Sequence, residues 1–324
     1  MRVAELSKWL RSFLLTTPEA WPCQVEFDLS SLAPLQHFPL QETHLNLRWS
    51  PRVADSNRED ERPSKPLDEL SLLPNLKLHC LDLELSGALV KRETECDFRL
   101  FWLSILPLRR LNLRGCHVTD IGVAHLSGLT GHAGPCYDVL QFDFSKINID
   151  TNKFFVFEIG LQALDMSDTL VSNSGLASLS SLHCLTELKL NRLDKEAVYF
   201  EGHIRDLYTG EGVQYLSVLP LRVLELSCCE LTQDGIALLP KTLETLDISG
   251  ALINDSGLAL LSCFSQLNCL KLFGCELRLV DLEILLPLHL SHLSVEIAQG
   301  DDDGAEVLCL TQHCRIPLCM QLLH

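Results

Sequence analysis

Aromatic side chains make up only 6% of this 324-residue chain, and its 26 basic residues face 43 acidic ones. The formal net charge of −17 opposes the phosphate neutralisation on which general nucleic-acid binding rests, and it opposes docking on anionic lipid. No direct nucleic-acid partner and no membrane is therefore expected. The longest nearly apolar run, Leu100 to Leu108, is interrupted by Ser104 and Pro107 and is far too short to span a bilayer. No apolar leader with a small-residue cleavage site is found, which argues against secretion.

Recognisable catalytic motifs are missing as well. There is no P-loop, no G-x-G-x-x-G, no H-E-x-x-H and no G-x-S-x-G. No C-x-x-C pair occurs, and the local cluster of Cys309, His313, Cys314 and Cys319 does not have the spacing of common zinc sites. Asp301-Asp302-Asp303 reads as a solvated turn, since acidic residues favour a helix start. Catalysis needs a convergent acid, base or nucleophile, and the sequence offers none. The expectation is a protein that is not an enzyme and uses no cofactor or metal. The 14 cysteines are scattered, many within leucine-rich runs, so they read as reduced, buried thiols of an intracellular protein.

What the chain does have is leucine: 70 residues, about a fifth of the whole, spaced in a repeating unit. The clearest copy runs through Leu108, Leu111, Leu113, Cys116, Val118, Thr119 and Gly122. The spacing returns in Leu161, Leu164, Met166, Thr169, Val171, Ser172 and Gly175, and in Leu221, Leu224, Leu226, Cys229, Leu231, Thr232 and Gly235. Further copies begin at Leu243 and Leu267, and weaker ones at Leu78, Val139, Leu185 and Leu290. In the clean stretches the period is 22 to 24 residues.

This pattern, L-x-x-L-x-L-x-x-C/N-x-L, resembles the leucine-rich repeat family. The cysteine at the ninth position, followed by a cap residue and Gly, resembles the cysteine-containing subclass found in F-box substrate receptors and their relatives. The resemblance implies an α/β leucine-rich-repeat solenoid, a horseshoe with a parallel concave sheet and short convex helices. It also implies a non-catalytic protein–protein interaction scaffold, a subunit of a larger intracellular assembly. One alternative is the substrate-recognition subunit of a ubiquitin ligase, although residues 1–47 hold no recognisable F-box. Another is a structural subunit of a mitochondrial or ciliary complex. A cytoplasmic location is the leading expectation.

The residues account for the pattern physically. Alternation of period two in x-L-x-L gives a strand with one apolar face. Stacked units then bury the first, fourth, sixth and eleventh positions in a continuous core. Thr119, Ser172, Thr232 and Asn254 sit where a helix N-cap is wanted, which also explains the formal sequon at Asn254. The glycine three residues later is expected to let the helix pack close to the strands.

The chain divides accordingly. Residues 1–22 form an amphipathic helix, with Val3, Leu6, Leu10 and Phe13 on one face, that reads as a cap or as a targeting helix. Residues 23–77 hold degenerate first repeats and a charged loop at 50–66. Repeats fill 78–310, with a long helix expected around Asp97 to Ile105 and an insertion at 194–212; residues 311–324 close the end. The insertion and the loop read either as decoration or as binding elements.

Concave strand positions offer a partner surface. At the fifth position the order is Asp82, Asn112, Asp143, Asp165, Lys189, Glu225, Asp247, Lys271 and Ser294, with Glu187 two residues before Lys189. This predicts a negative row, broken at Lys189, that steers a basic segment of a protein partner. Tyr199, Phe200 and Tyr208 from the insertion are expected to add an apolar anchor at its rim.

Overall fold

A computed structural model describes residues 24–28, 44–48, 80–85, 97, 100–129, 160–192, 199–200, 203–204, 208–229, 231–285, 287–298 and 305–311. Strands β1 (Gln24–Asp28), β2 (His44–Arg48), β3 (Cys80–Glu84), β4 (Leu108–Asn112), β5 (Ala163–Asp165) and β6 (Glu187–Lys189) lie side by side in chain order. A two-stranded hairpin, β7 (Tyr199–Phe200) and β8 (His203–Ile204), stands apart from them. The sheet continues through β9 (Val223–Glu225), β10 (Thr245–Asp247), β11 (Cys269–Leu277), β12 (His292–Ala298) and β13 (Ala305–Thr311). Among the described residues this is one eleven-stranded sheet, parallel at every pairing except β12–β13, which is antiparallel.

Register aligns the leucines. Leu83, Leu111, Leu164, Leu188, Leu224, Leu246, Leu270 and Leu293 pair in succession across eight strands, and all are buried. Two residues on, Leu85, Leu113, Met166, Leu190, Leu226, Ile248, Leu272 and Val295 are fully buried as well. This face is covered by five short helices: α1 (Asp120–Leu126), α2 (Asn173–Leu179), α3 (Gly210–Val213), α4 (Gln233–Leu238) and α5 (Asp255–Leu261). Each packs on the next in order, and their buried residues join the strand leucines in one core.

The cap residues form a ladder of their own. Thr119, Ser172, Thr209 and Asn254 each accept from a backbone N–H of the first turn they open. Each of the first three is also held by the preceding unit. Asp97 accepts from the Thr119 N–H (3.0 Å) and hydroxyl (2.5 Å), and Asp120 accepts from those of Ser172 (2.7 and 2.5 Å). Asn173 accepts from the Thr209 N–H (3.1 Å) and donates to its hydroxyl (2.8 Å). These contacts explain the glycine three residues after the cap. A Cβ at Gly122, Gly175 or Gly212 would collide with the side-chain oxygen of Asp97, Asp120 or Asn173 respectively. The glycine makes room for the neighbouring side chain rather than for the strands, which corrects the packing reason expected from sequence.

Other expectations are corrected too. Thr232 makes no side-chain cap bond; the residue ahead of it in the ladder is Gly210, which has no side chain to hold it. Within the long helix expected around 97–105, Asp97 and Leu100 are helical and the described end, Phe101–Ile105, is a 3-10 turn. β4 pairs directly with β5, so no strand stands between them where the unit expected at Val139 would place one, and that unit lies outside the described residues. Asp143 lies outside the described residues, and the place in the row expected for it, between Asn112 and Asp165, does not exist. The unit expected at Leu78 is misaligned by two: Asp82 pairs with Arg110, and Glu84 is the residue in register with Asn112. The last strand, antiparallel β13, runs to Thr311, one residue past the expected end of the repeats. The N-terminal helix, the 50–66 loop and residues 312–324 lie outside the described residues.

Candidate functional site

Side chains at the third and fifth strand positions point away from the helices, onto a face that solvent reaches. The ladder in register with Asn112 reads Glu84, Asn112, Asp165, Lys189, Glu225, Asp247, Lys271, Ser294. It is more neutral than the sequence suggests. Lys189 Nζ sits 3.1 Å from Glu225 and 3.7 Å from Glu187. Lys271 Nζ lies 3.3 Å from Asp247. Glu225 also accepts from Asn191 (2.7 Å). Partial burial pulls the Lys189 ammonium down, but Glu225, Glu187 and Asp165 outweigh it and hold it above the ordinary lysine value.

A depression of about 240 Å³ opens on this face over β3 to β6. Its floor includes Ala163, which is in register between Arg110 and Glu187. The small side chain lets Arg110 reach over β5 to Glu187, at 3.0 Å. Asn112 donates to Glu84 (2.9 Å), and its carbonyl accepts from the Arg114 N–H (2.9 Å). Asp165 accepts from the Ser167 N–H at 2.9 Å, and among the described residues its nearest cation is its register neighbour Lys189, which acts on it without forming a direct ion pair. Lys189, its register neighbour, turns toward Glu225 instead.

The face changes character farther along. Val223, Thr245 and Cys269 occupy the third position of β9, β10 and β11, all half-buried. Farther along the chain, Phe273 within β11 is 39% exposed, and Leu252, in the segment after β10, is 75% exposed. Phe273 is tied in place through its N–H, which donates to Ser249 (3.2 Å), and its carbonyl, which accepts from Gly250 (2.6 Å). Sequence spacing did not single out either residue, because their exposure depends on how neighbouring strands and loops pack. A signal was present, however. Gly115 and Gly250 mark a left-handed turn after β4 and β10, Asp168 (57°) and Cys228 (58°) adopt the same conformation after β5 and β9, and Gly274 adopts it within β11.

The insertion requires a different reading. Tyr208, expected at the rim of a partner surface, is fully buried. Its ring packs against Arg192, whose guanidinium carbon lies 4.6 Å from the ring centre. Burial pushes the Tyr208 phenol up to about 12, against the pull of Arg192. Arg192, itself buried, donates to the Thr169 carbonyl and to the Val171 carbonyl (2.8 Å). One unit earlier the equivalent carbonyl, of Val118, accepts from the backbone N–H of Leu170 (2.9 Å). The Arg192 guanidinium thus donates to the Val171 carbonyl where a backbone N–H donates to Val118 one unit earlier, with the buried Tyr208 ring against it. Tyr208, Thr209 and α3 belong to the packed unit, so the inserted part ends earlier than residue 212. Tyr199 and Phe200 pair with Ile204 and His203 in the separate hairpin, not in the large sheet.

No family model matches the chain, and no curated protein matches it. Among the described residues no group of three or more His, Cys, Asp or Glu side chains is placed to hold a metal ion. No described helix is long and apolar enough to cross a membrane.

Proposed function

We propose that this chain is a leucine-rich-repeat solenoid of the cysteine-containing type, acting without catalysis as a protein-binding scaffold in a larger intracellular assembly. The observation that carries this reading is the open sheet face. A parallel sheet ordinarily has helices on both faces. Here the helices pack in one row over the leucine face, while Arg110, Lys189 and Lys271 on the other keep 31–52% of their side-chain surface in solvent. A large polar face held rigid by the core beneath it is suited to gripping a partner rather than to turning over a substrate. The depression gives that face a polar region.

Two variants of the tagged full chain test the reading. Thr245→Arg fills the middle of the open face, and Val218→Arg places the same charge at a 63%-exposed position on the helix side. Partners that copurify with the parent chain should be lost with Thr245→Arg and retained with Val218→Arg. The opposite pattern would assign binding to the helix side.

A further inference from the structure

We infer that the molecule has a built-in joint between α3 and α4, where the helix row opens while the sheet beneath it stays paired. The joint does not depend on what the open face binds.

Side chains pin the helix row on both sides of this point. Asp97 holds the cap of α1, Asp120 that of α2 and Asn173 that of α3, each by two hydrogen bonds. On the far side, Asn254, the cap of α5, donates to Gln233 of α4 (3.3 Å). Between α3 and α4 the equivalent residue is Gly210, which has no side chain, and Thr232 makes no side-chain cap bond. Gly210 lies instead against Gly235: a Cβ built on Gly210 would stand 3.3 Å from both the Cα and the N of Gly235. Backbone meets backbone there, with no side chain to interlock. Val213, Leu216 and Ile236 still share the core at this boundary. Such apolar contacts are non-directional and, unlike the cap bonds, fix no orientation.

The sheet side of the same boundary is tied. β6 and β9 pair in parallel register. The Leu190 and Arg192 N–H groups donate to the Glu225 and Ser227 carbonyls (2.8 and 2.9 Å). The Asn191 side chain donates to Glu225 (2.7 Å) and accepts from the Ser227 N–H (2.9 Å). A boundary stitched at the strands and bare at the helices bends rather than separates. Opening swings α4 and α5, joined through Gln233 and Asn254, away from α3, and it changes the angle between β6 and β9 in the open face. It also uncovers Cys229, buried between β9 and α4. The Cys229 thiol reaches across the boundary to the Leu190 carbonyl at 3.7 Å, longer than the matching contacts of Cys116 (3.1 Å) and Cys275 (3.5 Å).

Hydrogen–deuterium exchange of the native full chain, read by mass spectrometry, tests the joint. Amides in the first turn of α4 should exchange about tenfold faster than those in the first turns of α2 and α3, while the strand amides around Leu190 stay protected. Thiol labelling of the same native chain separates a joint from a frayed helix end, because only the opened boundary exposes Cys229. Cys229 should react about tenfold faster than Cys116 and Cys275. Asn173→Gly removes the holding side chain one boundary earlier, and it should give the first turn of α3 the fast exchange of α4. Equal exchange in the first turns of α2, α3 and α4 overturns the inference, and so does a Cys229 no more reactive than Cys116 and Cys275. Unchanged exchange of α3 in Asn173→Gly overturns it too, since the missing side chain would then not be what makes the joint.

Discussion

At the ninth position of a unit, a cysteine fills a small enclosed space and donates a weak hydrogen bond. Cys116, Cys229 and Cys275 are buried, and their thiols point at the carbonyls of Leu85 (3.1 Å), Leu190 (3.7 Å) and Ile248 (3.5 Å). In each case the acceptor is the sixth residue of the unit before, so the side chain ties neighbouring units together. Thr169, at the same position, instead bonds within its own unit, to Met166 (2.8 Å). Burial pushes the Cys229 thiol up to about 12 from an ordinary 9.0, and Tyr208 up to about 12 from 10.0. Both groups are neutral when protonated, and both are raised by folding. Their contribution is therefore complete below pH 9 and is lost as pH rises toward 12, where the unfolded chain ionises first. Stability should fall with pH by up to about 1.4 kcal/mol per unit for each group, starting near pH 9 for Cys229 and near pH 10 for Tyr208. Urea midpoints at pH 8 and pH 10.5 measure it, and Cys229→Ala should show a shallower decline than the parent.

The helices are too short to hold themselves. At four to seven residues they fall below the length at which an isolated helix persists in water. Packing and the cap ladder supply what is missing. Asp120 shows the coupling: it opens α1, yet its carboxylate holds the cap of α2. Removing it disturbs two units, and Asp120→Ala should cost about 2 kcal/mol. Thr232 caps nothing with its side chain and is exposed, so Thr232→Ala should cost only a few tenths of a kcal/mol. Chemical denaturation of the two variants side by side checks the contrast. Equal losses would mean that the inter-unit bonds carry no weight. The same ladder explains why sequence spacing located the caps but not their partners: Asp120 and Ser172 are 52 residues apart.

Over the whole molecule, like charge dominates. The chain carries a formal −17, while the ion pairs of the open face leave much of their basic side chains in solvent. Exposed pairs of this kind contribute little, and salt screens repulsion across the molecule as well as attraction within a pair. Raising sodium chloride from near zero to physiological strength should therefore raise the thermal midpoint by a few degrees. A fall, followed by circular dichroism, would show that pairs such as Lys189–Glu225 outweigh the net repulsion.

The period of Leu, the alternation within each strand and the cap residues were legible without coordinates, because each follows from local spacing and from the need of an apolar face for a neighbour. They specified the order of strands such as β4, β5 and β9 to β12, the burial of Cys116, Cys229 and Cys275, and the orientation of Asp165, Lys189 and Glu225 onto one face. Spacing could not say which strands would become neighbours, and so Asp143 was given a place that β4 and β5 close by pairing directly. Nor could it show that Tyr208 turns inward, since that depends on packing against Arg192, which donates to the Val171 carbonyl. The choice of counter-ions was likewise tertiary. Lys189 has carboxylates within reach on several strands, and only the packed sheet decides that it pairs with Glu225 and Glu187 while Asp165 acts on it from farther off.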